Sequence, residues 1–251
     1  MRQAIISDIH ANQEALIAVL EDIEDRGIDD IICLGDIVGY GPEPVECITL
    51  VQERCRIVLM GNHDYALLKG PEGFNFVAAS AIECHKMMLD EGCLGRNRCA
   101  SHLRYLEERP ETYAQEGALY VHASPRDHLV EYILPSDVAY GPSGKITGVF
   151  EMIEGVCFVG HSHIPGVVTT DQKWLMPDEA NGMDVSKGKF IVNDGSVGQP
   201  RDNDPRACYV EFVDGTVLYH RVEYDVAKTM KKITDGGCLH PICSKRLEKG
   251  K

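Results

Sequence analysis

Five short apolar runs in this chain each stop at side chains that can bind a metal. "AIIS" runs into Asp8 and His10, and "IICLG" into Asp36. "IVLMG" runs into Asn62, His63 and Asp64, "LYV" into His122, and "CFVG" into His161 and His163. Each run has strand character. In open α/β sheets, ligands bind just beyond the carboxyl ends of parallel strands. Five such arrivals predict one crevice ringed by carboxylate, amide and imidazole groups, which narrows the possible folds more than composition does.

Amphipathic helices separate the first three runs. One is capped at Asn12, carries Ala15, Leu16, Val19, Leu20 and Ile23 on one face, and stops at Gly27. The next begins near Pro42 and carries Val45, Ile48 and Val51. Strands alternating with such helices indicate βαβ units with largely parallel pairing. Residues 65–109 read mostly as helix. After Gly166 the chain turns to short β segments, "GVVTTD", "KFIVND", "ACYVEFV" and "TVLYHRVEY", which read as antiparallel hairpins forming a second sheet. A basic tail over 227–251 reads as one or two surface helices. No repeat or linker interrupts the chain, so residues 1–251 read as a single domain.

The chain has 251 residues, 44% of them hydrophobic, enough for one sizeable core. Its formal net charge is −14, with the acidic residues spread along the sequence. That argues against long nucleic acids or anionic membranes as partners, since both need clustered Lys and Arg. A small anionic substrate is compatible if a bound metal supplies local positive charge. With no signal-peptide pattern and no apolar run of membrane length, the expected location is the cytoplasm. The ten cysteines show no CxxC spacing. Cys33, Cys157 and Cys208 lie in apolar runs, so the chain is expected to be reduced, and Cys84, Cys93 and Cys99 are not expected to gather a metal.

The donor group at the strand ends holds two carboxylates, one amide oxygen and four candidate ligand imidazoles, with no thiolate. Such a set suits Mn, Fe, Co, Ni or Zn rather than an iron–sulfur or structural zinc site. Seven donors are too many for one tetrahedral ion. They suit two ions sharing a carboxylate, at the roughly 3.5–4 Å separation of two-metal hydrolytic sites. His161 and His163, two residues apart, would face one pocket on an extended chain, unless the chain turns between them.

In order, the blocks read "DIH", "GD", "GNHD", a lone His within "VHASP", and "GHSH". This set resembles the calcineurin-like metallophosphoesterases, over roughly residues 1–224. The resemblance implies an α/β fold, a four-layer sandwich of two mixed β-sheets between helices. It implies that Asp8, His10 and His163 hold one divalent transition ion, that Asn62, His122 and His161 hold a second, and that Asp36 bridges both. It also implies hydrolysis of a small phosphate ester by water or hydroxide held between the metals. His63, oriented by Asp64, would steady or protonate the leaving oxygen. A scaffold that has lost catalysis would not need Asp36, Asn62, His63 and both histidines of "GHSH". A nuclease would be expected to carry a basic stripe, which this chain lacks.

Some stretches depart from relatives. Protein phosphatases of the superfamily carry "GDxxDRG", and diadenosine tetraphosphatase relatives also place an arginine there. This chain reads "GDIVGYG", with Gly39 and Tyr40 in that stretch. The "GYGP" version resembles small bacterial and archaeal phosphoesterases, as do "SPRDH" and "NDGSVGQPRDNDPRA". Asp194 stands where relatives often have the Pro of Asn-Pro-Gly-Ser. The candidates for substrate contact are Arg126 and Arg201, on loops after Ser-Pro and Gln-Pro, and Tyr40 at the mouth. His85, His102, His128, His220 and His240 read as ordinary residues. Without the motif arginine, few fixed cations should surround the site, so a phosphodiester is expected to react at least as well as a monoester.

Overall fold

The computed structural model describes residues 2–91 and 96–251, with side chains described outside 90–99. The first half holds β1 (Arg2–Ile6), α1 (Gln13–Asp25), β2 (Ile31–Cys33), α2 (Pro44–Arg54), β3 (Ile57–Val58), α3 (Asn62–Lys69), α4 (Phe76–Glu91), α5 (Arg96–Glu107), β4 (Thr112–Gln115) and β5 (Ala118–Val121). Then come α6 (Gly144–Met152), β6 (Val156–Val159), β7 (Gly166–Val168), β8 (Trp174–Leu175), α7 (Pro177–Ala180), β9 (Met183–Asp184) and β10 (Phe190–Asn193). The chain closes with β11 (Ala207–Val213), β12 (Thr216–Val222), α8 (Val226–Gly236) and α9 (Pro241–Lys249). The Asn12 side chain caps α1 by accepting from Ala15 N at 3.2 Å, as its sequence position predicts.

Two mixed sheets result, ordered β3-β2-β1-β11-β12-β9 and β4-β5-β6-β10-β7-β8. β1, β2 and β3 pair in parallel, and so do β5, β6 and β10. The expectation that the C-terminal hairpins build a sheet of their own is therefore wrong. β11 pairs antiparallel with β1 and brings β12 into the first sheet, whereas β7 and β10 join β6 in the second. The reason is burial: six of the seven residues of β11 are buried, so it needs a central place in a sheet, and the free edge of β1 offers one.

Alternate residues of the apolar runs separate the layers. Ile5, Ile32, Phe158 and Val192 point between the two sheets. Their neighbours Ile6 and Cys33 pack outward with Leu16, Val19 and Ile48 of α1 and α2. Cys157, Val159 and Ile191 pack outward on the opposite side with Ile146 and Val149 of α6. Both faces of both sheets are covered, giving helix, sheet, sheet, helix.

The tail is more than a surface appendage. Ile233 of α8 and Cys243 and Leu247 of α9 share a buried cluster with Ala81 of α4 and with Tyr40. A disulfide joins Cys84 of α4 to Cys238 between α8 and α9, with Cα atoms 5.8 Å apart. This corrects the expectation of a wholly reduced chain, because tail packing brings together cysteines 154 residues apart. Cys33, Cys157 and Cys208 are free and buried, as expected. Cys93 and the side chain of Cys99 lie outside the described residues. Among the described residues, no helix is long and apolar enough to cross a membrane.

Candidate metal centre

Asp8 and His10 follow β1, Asp36 follows β2, Asn62 opens α3 after β3, His122 follows β5, and His161 and His163 follow β6. Asp8, His10, Asp36, His161 and His163 have φ between 49° and 61°. Side chains other than glycine rarely adopt this left-handed region, and it persists where surrounding structure over-determines it. Backbone bonds between neighbouring loops supply that constraint: Asp8 N donates to Gly35 O at 3.0 Å, and His10 N to Asp36 O at 3.0 Å. The loops touch so closely that a Cβ on Gly61 would lie 2.1 Å from Asp36 N, and one on Gly160 2.5 Å from Asp8 Oδ2.

The same backbone aims the donor atoms. Asp8 Oδ2 accepts from His161 N at 2.9 Å, and Asp36 Oδ1 from His63 N at 2.8 Å. The other oxygen of each carboxylate faces imidazole nitrogens. Asp8 Oδ1 lies 3.1 Å from His163 Nε2. Asp36 Oδ2 lies 3.7 Å from His10 Nε2 and 3.5 Å from His122 Nε2, and so stands between two histidine sets. The turn at His161 and His163 parts the two rings. His163 joins Asp8 and His10, while His161 joins Asp36 and His122. Asn62 Oδ1 reaches His122 Nε2 at 3.1 Å, which adds the amide to the second set.

These residues fit divalent transition ions. His10 Nδ1 donates to Val38 O at 2.9 Å, and His163 Nδ1 to Gln199 O at 2.5 Å. Each is thereby held in the tautomer that leaves Nε2 a lone pair. The two Nε2 atoms face each other 3.1 Å apart. His161 Nε2 donates to Val130 O at 3.3 Å, leaving Nδ1 as its donor atom. Asp8 Oδ1 is buried and accepts no hydrogen bond among the described residues. Burial holds His10 and His163 well below the usual histidine range, His161 at about 4 and His122 at about 3, so all four are neutral and ligand-competent near pH 7. Burial, with the charge of Asp8 beside it, pushes the Asp36 carboxyl well up, a strain that a bound cation would relieve.

Ser7 and Asp194 lie behind Asp8. Ser7 Oγ is 2.6 Å from Asp8 Oδ2 and 2.7 Å from Asp194 Oδ1. One hydroxyl hydrogen cannot serve both carboxyl groups. Burial, then the nearby Asp8, raises Asp194 well above the carboxylate range. A protonated Asp194 donating to Ser7, with Ser7 donating to Asp8, satisfies the chain.

His63 and Asp64 differ from expectation. Asp64 Oδ1 accepts from Ile37 N and Val38 N at 3.0 and 3.2 Å, and Oδ2 from Gly61 N at 3.2 Å. It ties the turn after Asp36 to the start of α3 and does not orient the His63 ring, because adjacent residues on a helix point apart. His63 Nδ1 has no hydrogen-bond partner among the described residues. Packing holds the ring instead, with Tyr40 at 4.7 Å, His10 at 4.8 Å and Phe74 at 4.8 Å between centroids. Burial, then His10 and Arg201, holds its pKa well below 6.5.

The rim also departs from the sequence reading. Tyr40 lies at the mouth as expected, buried, with φ at 60°. Arg201 stands beside that ring, its Cζ 5.9 Å from the centre. Arg126 is not. Ser124 Oγ accepts from Arg126 N, closing that turn so that the guanidinium reaches Glu131 at 3.4 Å and Lys145 O of α6 at 3.4 Å. Arg246 of α9, which sequence reasoning missed, lies 5.8 Å from the Tyr40 ring centre. Two cations therefore stand where few were expected. His85 was also missed: its Nδ1 accepts from Gly39 N at 3.1 Å and its Nε2 donates to Gly41 O at 2.8 Å, bracketing Tyr40. Tyr132, stacked on His161 at 4.0 Å, carried no signal in the sequence. A cleft of about 460 Å³ opens beside these groups, lined by Tyr40, Asn62, His63, Phe74, Tyr132 and His161 among others.

Residues 1–215 match the calcineurin-like phosphoesterase superfamily domain. An uncharacterized protein of Methanocaldococcus jannaschii is 39% identical over 240 residues, covering 92% of this chain and 90% of that one. The crystal structure of a metallophosphoesterase from Sphaerobacter thermophilus is similar over 100% of both chains, with a TM-score of 0.84 and 38% identity. A hypothetical protein from Pyrococcus horikoshii OT3 shares the fold at a TM-score of 0.76 and 19% identity, over 100% of this chain and 98% of that one. By the extent of the family match and the identity with these relatives, the chain belongs to the calcineurin-like phosphoesterase superfamily.

Proposed function

We propose that this protein is a dinuclear metal-dependent hydrolase of small phosphate esters. One observation carries the reading: Asp8, His10 and His163 converge, Asp36, His122 and His161 converge beside them, and Asp36 Oδ2 lies between the two sets. Asp8, His10 and His163 would hold one ion, Asn62, His122 and His161 the other, with Asp36 shared. Two divalent transition ions there would neutralise phosphoryl oxygens and lower the pKa of a water.

The chain's own groups supply orientation. The carbonyls of Val38, Gln199 and Val130 fix the imidazole tautomers, so the donor atoms need no rearrangement. Asn62 and His161 of the second set line the cleft together with His63, so an ester group entering it would meet that set and the His63 ring. A neutral imidazole there can donate a hydrogen bond to the leaving oxygen as charge develops on it. Phe74 and Tyr132 offer apolar walls to the leaving group.

The test is metal content together with turnover. Protein stripped by chelator and incubated with manganese should take up close to two ions per chain and hydrolyse p-nitrophenyl phosphate or its bis ester. Failure to bind any ion after that incubation would overturn the proposal.

A further inference from the structure

Most of the described arginines of this acidic chain pair with a carboxylate. Among the described residues, Arg2, Arg26, Arg54, Arg56, Arg109, Arg126, Arg206 and Arg221 each pair with an Asp or Glu. Arg201 and Arg246 form no ion pair with a carboxylate among the described residues, although acidic residues outnumber basic ones by 39 to 25. Both point at one ring, with Cζ atoms 5.9 and 5.8 Å from the centre of Tyr40. Like charges beside one ring repel each other unless an anion joins them.

The two arginines are held as a unit. Asn203 N, two residues after Arg201, donates to Gly250 O at the end of α9 at 2.8 Å. Arg201 N donates to the His163 carbonyl at 3.1 Å, which fixes that loop to the ligand set. Cys243 and Leu247 bury the inner face of α9 beside Tyr40, and the Cys84–Cys238 disulfide anchors the segment before it. Arg246 lies beyond residue 215, where the family match ends.

We infer that α9 completes the substrate site: Arg246 and Arg201, across Tyr40, receive the additional negative charge of a phosphomonoester dianion, and so favour monoesters over diesters. This rests on the dinuclear reading above and adds a substrate class to it. Two carboxylates and two divalent ions leave a surplus of two positive charges, and deprotonating the attacking water removes one. A diester monoanion balances the remainder. A monoester dianion adds one more negative charge, which the arginine pair answers with charge-assisted hydrogen bonds.

The experiment compares kcat/KM for p-nitrophenyl phosphate and bis-p-nitrophenyl phosphate in manganese-loaded wild type, Arg246→Ala and Arg246→Lys. It also measures the affinity of each protein for inorganic phosphate by calorimetry. Arg246→Ala should lose about ten- to a hundredfold on the monoester, the range expected for a hydrogen bond to a charged group. It should lose less on the diester, weaken inorganic phosphate in parallel with the monoester, and keep its metal content; Arg246→Lys should fall between. An unchanged monoester-to-diester ratio with unchanged phosphate affinity in Arg246→Ala would overturn the inference while the hydrolase reading stands. If wild type binds phosphate but turns over neither ester, the hydrolase reading fails, and the phosphate affinity of Arg246→Ala still supports or overturns the arginine pair.

Discussion

The candidate metal cradle and the proposed substrate rim are neighbours built in opposite ways. Every cradle residue lies within a few positions of a strand end, and backbone bonds between adjacent loops set its direction. The rim joins Tyr40, Arg201 and Arg246, far apart in sequence, through packing of α4, α8 and α9 and one bond from Asn203 to Gly250. The cradle has little freedom: five of its residues hold left-handed conformations, and Gly61 and Gly160 leave no room for a Cβ. The rim is made of long side chains around one aromatic ring. In the proposed hydrolase, a site divided in this way would keep its chemistry in a rigid frame and its selectivity in parts that substitution can change without disturbing that frame.

Substitutions should separate the two regions. The largest expected effect lies in the cradle. Asp36→Asn should lower occupancy of both ion positions and reduce turnover by more than the roughly 10–100-fold typical of an outer partner of a metal ligand. Metal analysis of the purified variant checks this; loss of only one ion would show that the carboxylate is not shared. His63→Ala, at the border of cradle and rim, should retain both ions and lose about 10²–10⁴-fold in kcat, as for a lost acid–base or hydrogen-bonding group. Full activity in that variant would remove His63 from the mechanism. The tenfold to hundredfold monoester loss in Arg246→Ala follows, about the size of one charged hydrogen bond.

The smallest expected effect is one of stability. In metal-free protein, His10, His63, His85, His122, His161 and His163 all have folded pKa values below the ordinary 6.5, with His122 at about 3 and His161 at about 4. As pH falls below about 6.5 the unfolded chain takes up these protons first, so the histidine contribution is lost between there and the folded values. Asp36, Asp64 and Asp194 are raised and act in the opposite sense, losing stability as pH rises through their folded values. His220 is lowered as well and Glu43 raised, so seven imidazoles outweigh four carboxyls, and chelator-stripped protein should lose stability to urea between pH 6.5 and 4.5. A flat profile over that window would mean that the buried imidazoles relax or hydrate on metal removal.

The sequence alone determined the chemistry of the centre and the class of fold. Apolar runs ending in Asp, His and Asn show in a linear string because strand and ligand are adjacent in the chain, and parallel pairing carries all the strand ends to one edge. Tertiary structure decided what depends on contacts between distant residues. β11 left its expected sheet because its burial required the central place beside β1. The His161–His163 pair was divided because left-handed turns cancel the two-residue repeat of an extended strand. Asp64 faces the backbone amides of Ile37 and Val38 because α3 points it away from the His63 ring. Arg126 went to Glu131, and Arg246, from a tail that reads only as basic, reached Tyr40 because Cys243 and Leu247 needed burial and α4 supplied the surface. Local sequence sets which atoms can bind a metal; the burial of remote apolar residues sets which cations stand beside it.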